Sequence, residues 1–348
     1  MRLLSEGLIT DSASLSLARS RVRASARRLQ FSQKVSEAAQ LVCSEILNNQ
    51  LKHVAYPGIF QIWELTWPDK YLDFFALDCG GGIRNIVEAL TDGYSTAGTL
   101  GRGLGALRRF SSDYEIYSLT KSGNPASFWH GTAVWARFSN KIKKKAKEIS
   151  EIETGLFIRP LGDTLYNGDA IYLKDDSSGI SWIHLDAVGH GERAWEIIKN
   201  IGDVIVPCEY VDDVIKDIDT ILKGKKGAMG IAASYNFREK IVNICGVGDI
   251  NACIVGGGKK KMVPLSEGIL GRDHRALKIS HIPISEGDLF ITASDGLRYR
   301  WDPSFFPGLW SRHPQMIAFM LGYLLSRGND DKSLFILKKV RNYSASLI

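Results

Sequence analysis

Asp186-Ala187-Val188-Gly189-His190-Gly191 closes a strand-like run, Ser181–Leu185, and leads into a helix expected over Glu192–Asn200. A carboxylate at a strand end with small neighbours leaves room for a divalent cation to reach backbone carbonyls. Three further segments also put an aspartate at the end or start of a strand-like run: Gly168-Asp169-Ala170, Ser294-Asp295-Gly296, where the neighbours are again small, and Asp330-Asp331-Lys332-Ser333. Each Asp alone reads as a turn residue. Together, from different strand ends and far apart in sequence, they read as a site for two hard cations. Hydrolysis of a phosphate ester without a covalent intermediate calls for such a pair, which supplies a nucleophile near neutral pH and holds the phosphoryl oxygens.

The first half carries a different chemistry. Glu45-Ile46-Leu47-Asn48-Asn49 falls in a helix expected over Val35–Val54, and Glu45 and Asn49, four apart, leave one face. A carboxylate can accept a proton or orient a water, and an amide oxygen can ligate magnesium without adding charge. Asn48, three residues from Glu45, competes with Asn49 for that role. Asp78 ends the strand Leu72–Leu77 and enters Gly80-Gly81-Gly82, where the backbone can approach a base whose amino group the carboxylate would accept from. The run Ser95-Thr96-Ala97-Gly98-Thr99-Leu100-Gly101-Arg102-Gly103-Leu104-Gly105 precedes a helical stretch, Ala106–Phe110. Glycines that free backbone N–H groups at a helix start make a phosphate cradle. It is not a Walker pattern, since no Gly-Lys-Ser/Thr follows.

Length and composition suit two such halves. The 348 residues suggest two domains, and 45% apolar with 24% charged residues is ordinary for a soluble globular chain. Five scattered cysteines without CxxC spacing argue against a disulfide framework or zinc site and for a reducing compartment, the cytoplasm. The N-terminal stretch reads as an amphipathic helix with Leu15, Ala18, Val22, Ala26 and Leu29 on one face. The longest apolar run, Met316–Leu325, is about half a membrane span. Residues 1–150 hold 20 Lys and Arg against 13 Asp and Glu, whereas residues 151–348 hold 24 against 25. The basic half suits an acidic nucleotide and an acidic protein partner. Nucleic acid is disfavoured, because the basic residues are not interleaved with aromatics. The expected division is a nucleotide domain over 1–140, a basic linker over 141–151, a metal domain over 152–340 and a tail over 341–348.

In this order, the first-half elements resemble the GHKL (Bergerat) ATPase fold over about residues 5–138, and within it the anti-sigma-factor serine kinases of bacterial partner-switching systems. Ser44–Asn49 matches that family's helix motif; Asp92-Gly93-Tyr94-Ser95-Thr96 and Gly101–Gly105 match its lid. The resemblance implies Glu45 as catalytic base, Asn49 as ligand of the magnesium that accompanies ATP, and Asp78 as adenine acceptor with Gly80, Gly82 and the Thr132 hydroxyl. It places Ser95, Thr96, Gly101, Arg102, Gly103, Leu104 and Gly105 around the phosphates. The implied substrate is a serine or threonine on a STAS-domain antagonist protein, with a sigma factor as a further partner, and a homodimer is compatible with it.

The second-half motifs resemble metal-dependent serine/threonine protein phosphatases over about residues 152–340, and the Asp-x-x-Gly-His-Gly form resembles the SpoIIE-type branch and its stressosome-linked members. That resemblance implies two Mn²⁺ or Mg²⁺ ions bridged by Asp186, with Asp169 and the Ala187 carbonyl on one and Asp295 and Asp330 on the other. Asp331 is the alternative to Asp330, although Ser333, three positions on, fits Asp330. His190 either serves as an acid or phosphate contact, or packs at the helix start. Ala187 stands where the family has Gly, which would cost metal affinity if the position were left-handed. Asp249 stands where related chains tend to have Asn or His. The expected fold is therefore α+β in two domains: an N-terminal Bergerat α/β sandwich and a C-terminal α-β-β-α phosphatase sandwich. The expected function is a partner switch that phosphorylates and dephosphorylates a STAS-domain protein. The alternative is an ATP-dependent binding module that sequesters a sigma factor or STAS protein, with only the phosphatase domain catalytic.

Overall fold

The computed structural model describes residues 1–53, 57–66, 69–90, 104–140, 151–204 and 210–340. Most of the expected linker, the tail, and the lid residues Ser95, Thr96, Gly101, Arg102 and Gly103 lie outside the described residues. The chain forms two units, Met1–Glu148 with Ser304–Met316, and Ile149–Pro303 with Ile317–Ile348.

The first unit begins with strand β1 (Arg2–Ile9) and helices α1 (Ser12–Arg28) and α2 (Gln33–His53). Asp11 starts α1 through a capping box with Ser14, and Arg27 and Arg28 face the negative end of its dipole. Next come β2 (Gly58–Leu65), β3 (Tyr71–Leu77), the short helices α3 (Ile86–Ala89) and α4 (Gly105–Phe110), β4 (Asp113–Leu119) and β5 (Gly131–Phe138). The strands pair antiparallel in the order β1-β2-β3-β5-β4. Ala18, Val22, Ala26 and Leu29 of the first helical segment are buried, as their spacing requires, and pack with Val42 and Ile46 against Ile62, Phe74 and Ala136 of one sheet face.

The opposite face is also closed, because Trp63, Phe75, Trp135 and Tyr117 are buried. A strand covered on both sides is apolar on both faces, and Gly58–Trp63 is so apart from the buried Gln61. Here the structure departs from a contiguous second domain, since Ser304–Met316 belongs to the first unit. Phe128 stacks on Phe305, His313 stacks on Trp135 at 4.5 Å, and the Tyr117 hydroxyl donates to Pro307 O at 3.1 Å. Glu115 accepts from the His313 backbone N–H at 3.1 Å.

The second unit contains β6 (Ile152–Arg159), β7 (Asp169–Asp175), β8 (Gly179–Ala187), α5 (Glu192–Ile198), α6 (Val211–Leu222), β9 (Ala228–Asn236) and β10 (Ile241–Val247). It continues with β11 (Asn251–Gly256), β12 (Lys259–Met262), β13 (Ser280–Pro283), β14 (Leu289–Ala293), α7 (Pro314–Leu324, begun in the annexed segment) and β15 (Lys332–Lys339). Two antiparallel sheets result, β13-β10-β9-β8-β7 and β12-β11-β14-β15-β6. Trp182, Tyr235 and Val242 of the first meet Phe290, Phe335 and Leu337 of the second in one apolar layer. Ile183 and Leu185 point the other way, under α5 and α6, while Phe319 of α7 meets Phe157 of β6. The layers are helix, sheet, sheet, helix. α6 has no counterpart among the elements expected from sequence; its Val211, Val214, Ile215, Ile218 and Leu222 form a helical stripe and are buried.

Candidate functional site

In the second unit the two sheets bring their carboxylates to neighbouring strand ends. Asp169 opens β7 and lies opposite Asp186 on β8. Asp295 follows β14, Asp330 precedes β15, and those two strands pair. Asp186 is 8% exposed, and burial together with the charges of Asp169, Asp295 and Asp330 pushes its carboxyl up to about 9. Burial also raises Asp169 to about 7, against hydrogen bonds from Ser294 and Ser333 that lower it. Asp295 is raised by burial and Asp330, and Arg327 opposes the shift. Asp249 adds to that field, which the sequence reading had noted only as a departure from its relatives.

The structure separates the two neighbouring aspartates that sequence left as alternatives. Asp331 spends Oδ1 on the Leu161 N–H at 2.6 Å and Oδ2 on the Gly168 N–H at 2.7 Å, so it anchors the loop that delivers Asp169. The charge of Asp330 is felt at Asp186, Asp295 and Asp169, whereas that of Asp331 is felt at Asp169. A Cβ at Gly296 would fall far inside contact distance of Asp331 O, which explains glycine after Asp295. Ala187 does not take the left-handed conformation that would have strained it. Among the described residues only Gln30 and Lys240 carry side chains at positive φ. Its methyl is 1% exposed in the core under α5. His190 is exposed and makes no hydrogen bond among the described residues, so it does not pack at the start of α5.

An all-oxygen donor set with uncompensated negative charge suits hard divalent cations, and Mg²⁺ keeps several waters rather than demanding a closed protein cage. No group of three or more His, Cys, Asp or Glu side chains among the described residues stands close enough together to hold a metal ion. The carboxylate oxygens fit Mg²⁺ or Mn²⁺ in chemistry alone. Sequence reasoning missed His184, fully buried on β8 two residues before Asp186. Burial lowers its pKa to about 3, so the ring is neutral.

In the first unit, Glu45, Asn48 and Asn49 lie half-buried on α2, and none makes a side-chain hydrogen bond among the described residues. Gln50, the next residue, donates to Ile59 O at 3.1 Å and Leu77 O at 3.3 Å and thereby ties this turn of α2 to the strand end before Asp78. Asp78 is 9% exposed; its Oδ1 accepts from Gly80 N at 2.8 Å and Thr132 N at 3.1 Å. Oδ2 accepts from no described residue, and burial raises the carboxyl's pKa. Gly131 sits at φ +140, where a Cβ would collide with Asp78 O, and Gly82 sits at φ +72 against Leu119 O. The Thr132 hydroxyl meets Ser118 Oγ at 3.0 Å. Leu104 is the N-cap of α4 and Gly105 its buried first residue.

No protein-family model matches the chain. Over 133 residues it is 26% identical to the phosphoserine phosphatase RsbX of Bacillus subtilis, covering 37% of this chain and 67% of that protein. Among solved structures, RsbX in complex with magnesium is 23% identical with a TM-score of 0.49, over 55% of this chain and 96% of that one. The PP2C phosphatase domain of SpoIIE from Bacillus subtilis with a fragment of its regulatory domain is 17% identical with a TM-score of 0.46, over 95% and 96% of the two chains. With the structural scores this low, the sequence match carries the relationship. The chain is similar in sequence to the phosphoserine phosphatase RsbX.

Proposed function

We propose that the second unit is a Mg²⁺- or Mn²⁺-dependent phosphatase acting on phosphoserine or phosphothreonine in a protein, and that the first unit binds ATP-Mg and phosphorylates the same class of target. The reading of the second unit rests chiefly on one observation: Asp186 is buried opposite Asp169, and burial together with the charges of Asp169, Asp295 and Asp330 raises its carboxyl. Asp186 would bridge the ions, with Asp169, Asp295, Asp330 and the Ala187 carbonyl completing their protein contacts. When bound, the ions supply a nucleophile at neutral pH and polarise the phosphoryl group. Asp331 keeps the Leu161–Gly168 loop in place, and exposed His190 is free to give a proton to the departing seryl oxygen.

For the first unit, support comes from Asp78, whose backbone contacts occupy Oδ1 and leave Oδ2 to accept from an amino group such as adenine's. Asn49 would ligate the nucleotide's magnesium, and Glu45 would take the proton of the attacking hydroxyl. Phosphoryl transfer is mainly positioning and charge neutralisation, which the magnesium and the glycines of the lid sequence would supply. A STAS-domain protein is the proposed target, and the similarity to RsbX favours a partner-switching role.

The phosphatase is tested with p-nitrophenyl phosphate and a phosphoserine protein in Mn²⁺. Wild type should turn both over and lose activity in EDTA; an Asp186→Asn protein as active as wild type would sink the reading. The kinase is tested in that same Asp186→Asn background, so that label is not removed again. Absence of transfer from γ-labelled ATP to a STAS protein, with nucleotide binding retained, leaves the first unit a binding module.

A further inference from the structure

We infer that His184 is a positioning residue of the metal centre, which through the Ser333 hydroxyl fixes the carboxylate of Asp169. The inference rests on the metal-site reading above. His184 and Asp186 are two apart on β8 and so project to the same side, the layer between the two sheets, where Trp182 also lies. His184 Nδ1 is 2.9 Å from Thr292 Oγ1, and Nε2 is 2.7 Å from Ser333 Oγ. Ser333 Oγ in turn donates to Asp169 Oδ2 at 2.7 Å. Thr292, Ser333 and His184 are all fully buried. The ring therefore ties β8 of one sheet to β14 and β15 of the other, directly behind the carboxylates.

The direction of these bonds follows from the atoms. Ser333 Oγ donates to Asp169 Oδ2, so its single proton is committed to that carboxylate. The Ser333 oxygen then receives a proton from the ring, which places hydrogen on Nε2. Nδ1 is left bare and accepts from Thr292. Every donor points toward Asp169, and no rotation of Ser333 is free. Stability alone does not call for this arrangement: apolar side chains fill the rest of this layer, and buried polar groups that lose a partner are costly. What the arrangement adds is a fixed orientation for one carboxylate. Groups that orient metal-binding side chains typically change metal affinity by about 10–100-fold when lost.

Two amide replacements discriminate between the ring's two contacts. In His184→Gln the amide nitrogen reaches the position of Nε2 and can donate to Ser333. In His184→Asn the amide stops near the position of Nδ1 and serves only Thr292. Mn²⁺ binding to the metal-free full chain is measured by titration calorimetry, with melting in EDTA alongside. The wild-type and Asp186→Asn proteins come first: a wild type that binds no Mn²⁺, or an Asp186→Asn protein that binds it equally, overturns the metal reading itself. With that reading intact, His184→Asn should lose about 10–100-fold in Mn²⁺ affinity and His184→Gln no more than about 3-fold, at similar melting temperatures. Equal affinity in both variants, whether lost or retained, overturns the inference. Ser333→Ala removes only a hydroxyl and decides the matter if the His184 variants do not fold. Wild-type Mn²⁺ affinity in Ser333→Ala overturns the inference, and a loss of about 10–100-fold supports it.

Discussion

Replacing Asp186 by Asn should make the metal-free protein more stable while abolishing its response to metal. In the folded protein the Asp186 carboxyl is pushed up to about 9, against an ordinary value of 3.8. The folded state therefore holds a proton that the unfolded chain releases. Its stabilising contribution is complete below 3.8 and is lost as pH rises from there toward about 9. At about 1.4 kcal/mol per pH unit, holding that proton at pH 7 costs on the order of 4 kcal/mol. Asn carries no proton to hold, and its Oδ1 can still accept the Asp295 backbone N–H that Asp186 accepts. The recovered amount is at most that figure, because the remaining carboxylates still repel one another. Urea unfolding in EDTA at several pH values between 5 and 8.5 provides the assay. Wild type should lose stability across this range, and the variant should show a flatter profile and a higher midpoint at pH 7. Mn²⁺ at about 100 times its Kd should then raise wild-type stability by about 2.7 kcal/mol and leave the variant unmoved. A pH-independent wild type together with a less stable variant at pH 7 would refute the argument.

Ala187→Gly should lose about 1–2 kcal/mol, from backbone freedom and a buried methyl, with no gain in Mn²⁺ affinity by calorimetry. Asp78→Asn should weaken binding of a fluorescent ATP analogue by at least about 10-fold, since hydrogen bonds to charged groups contribute roughly 1.5–3 kcal/mol, and leave aryl-phosphate hydrolysis intact. Gly131→Ala, which forces a side chain onto Asp78 O at positive φ, should destabilise the first unit and abolish nucleotide binding, read by the same fluorescence and by thermal melting. Phe128→Ala removes ring contacts with Phe305 and Phe306 and should speed amide exchange within 304–316, while exchange in α2 stays unchanged.

Much of this molecule is written locally. The apolar stripe of α1, the strand ending at Asp78 and the strand ending at Asp186 are visible from residue spacing alone, because period and punctuation are properties of short segments. The α6 stripe is equally local, although it has no counterpart among the elements expected from sequence. The four carboxylates could be named in sequence because each sits at the end or start of a strand-like run, Asp186 and Asp295 with small residues beside them. Four other matters required the folded chain. Asp330 and Asp331 have identical side chains, and only the folded chain shows Asp331 accepting from the N–H groups of Leu161 and Gly168, some 160–170 residues away. Whether Ala187 is strained depends on its φ, which the pairing of β8 sets. His184 reads as an ordinary strand residue until Thr292 and Ser333 of the other sheet meet it. The annexation of Ser304–Met316 by the first unit depends on the second apolar face of a sheet, which alternation within one strand cannot distinguish from a face turned to any other partner. The sequence by itself determined which residues could do chemistry. Long-range hydrogen bonds and shared burial decided which of them are set to do it, because charge, strain and donor direction depend on neighbours that only folding brings together.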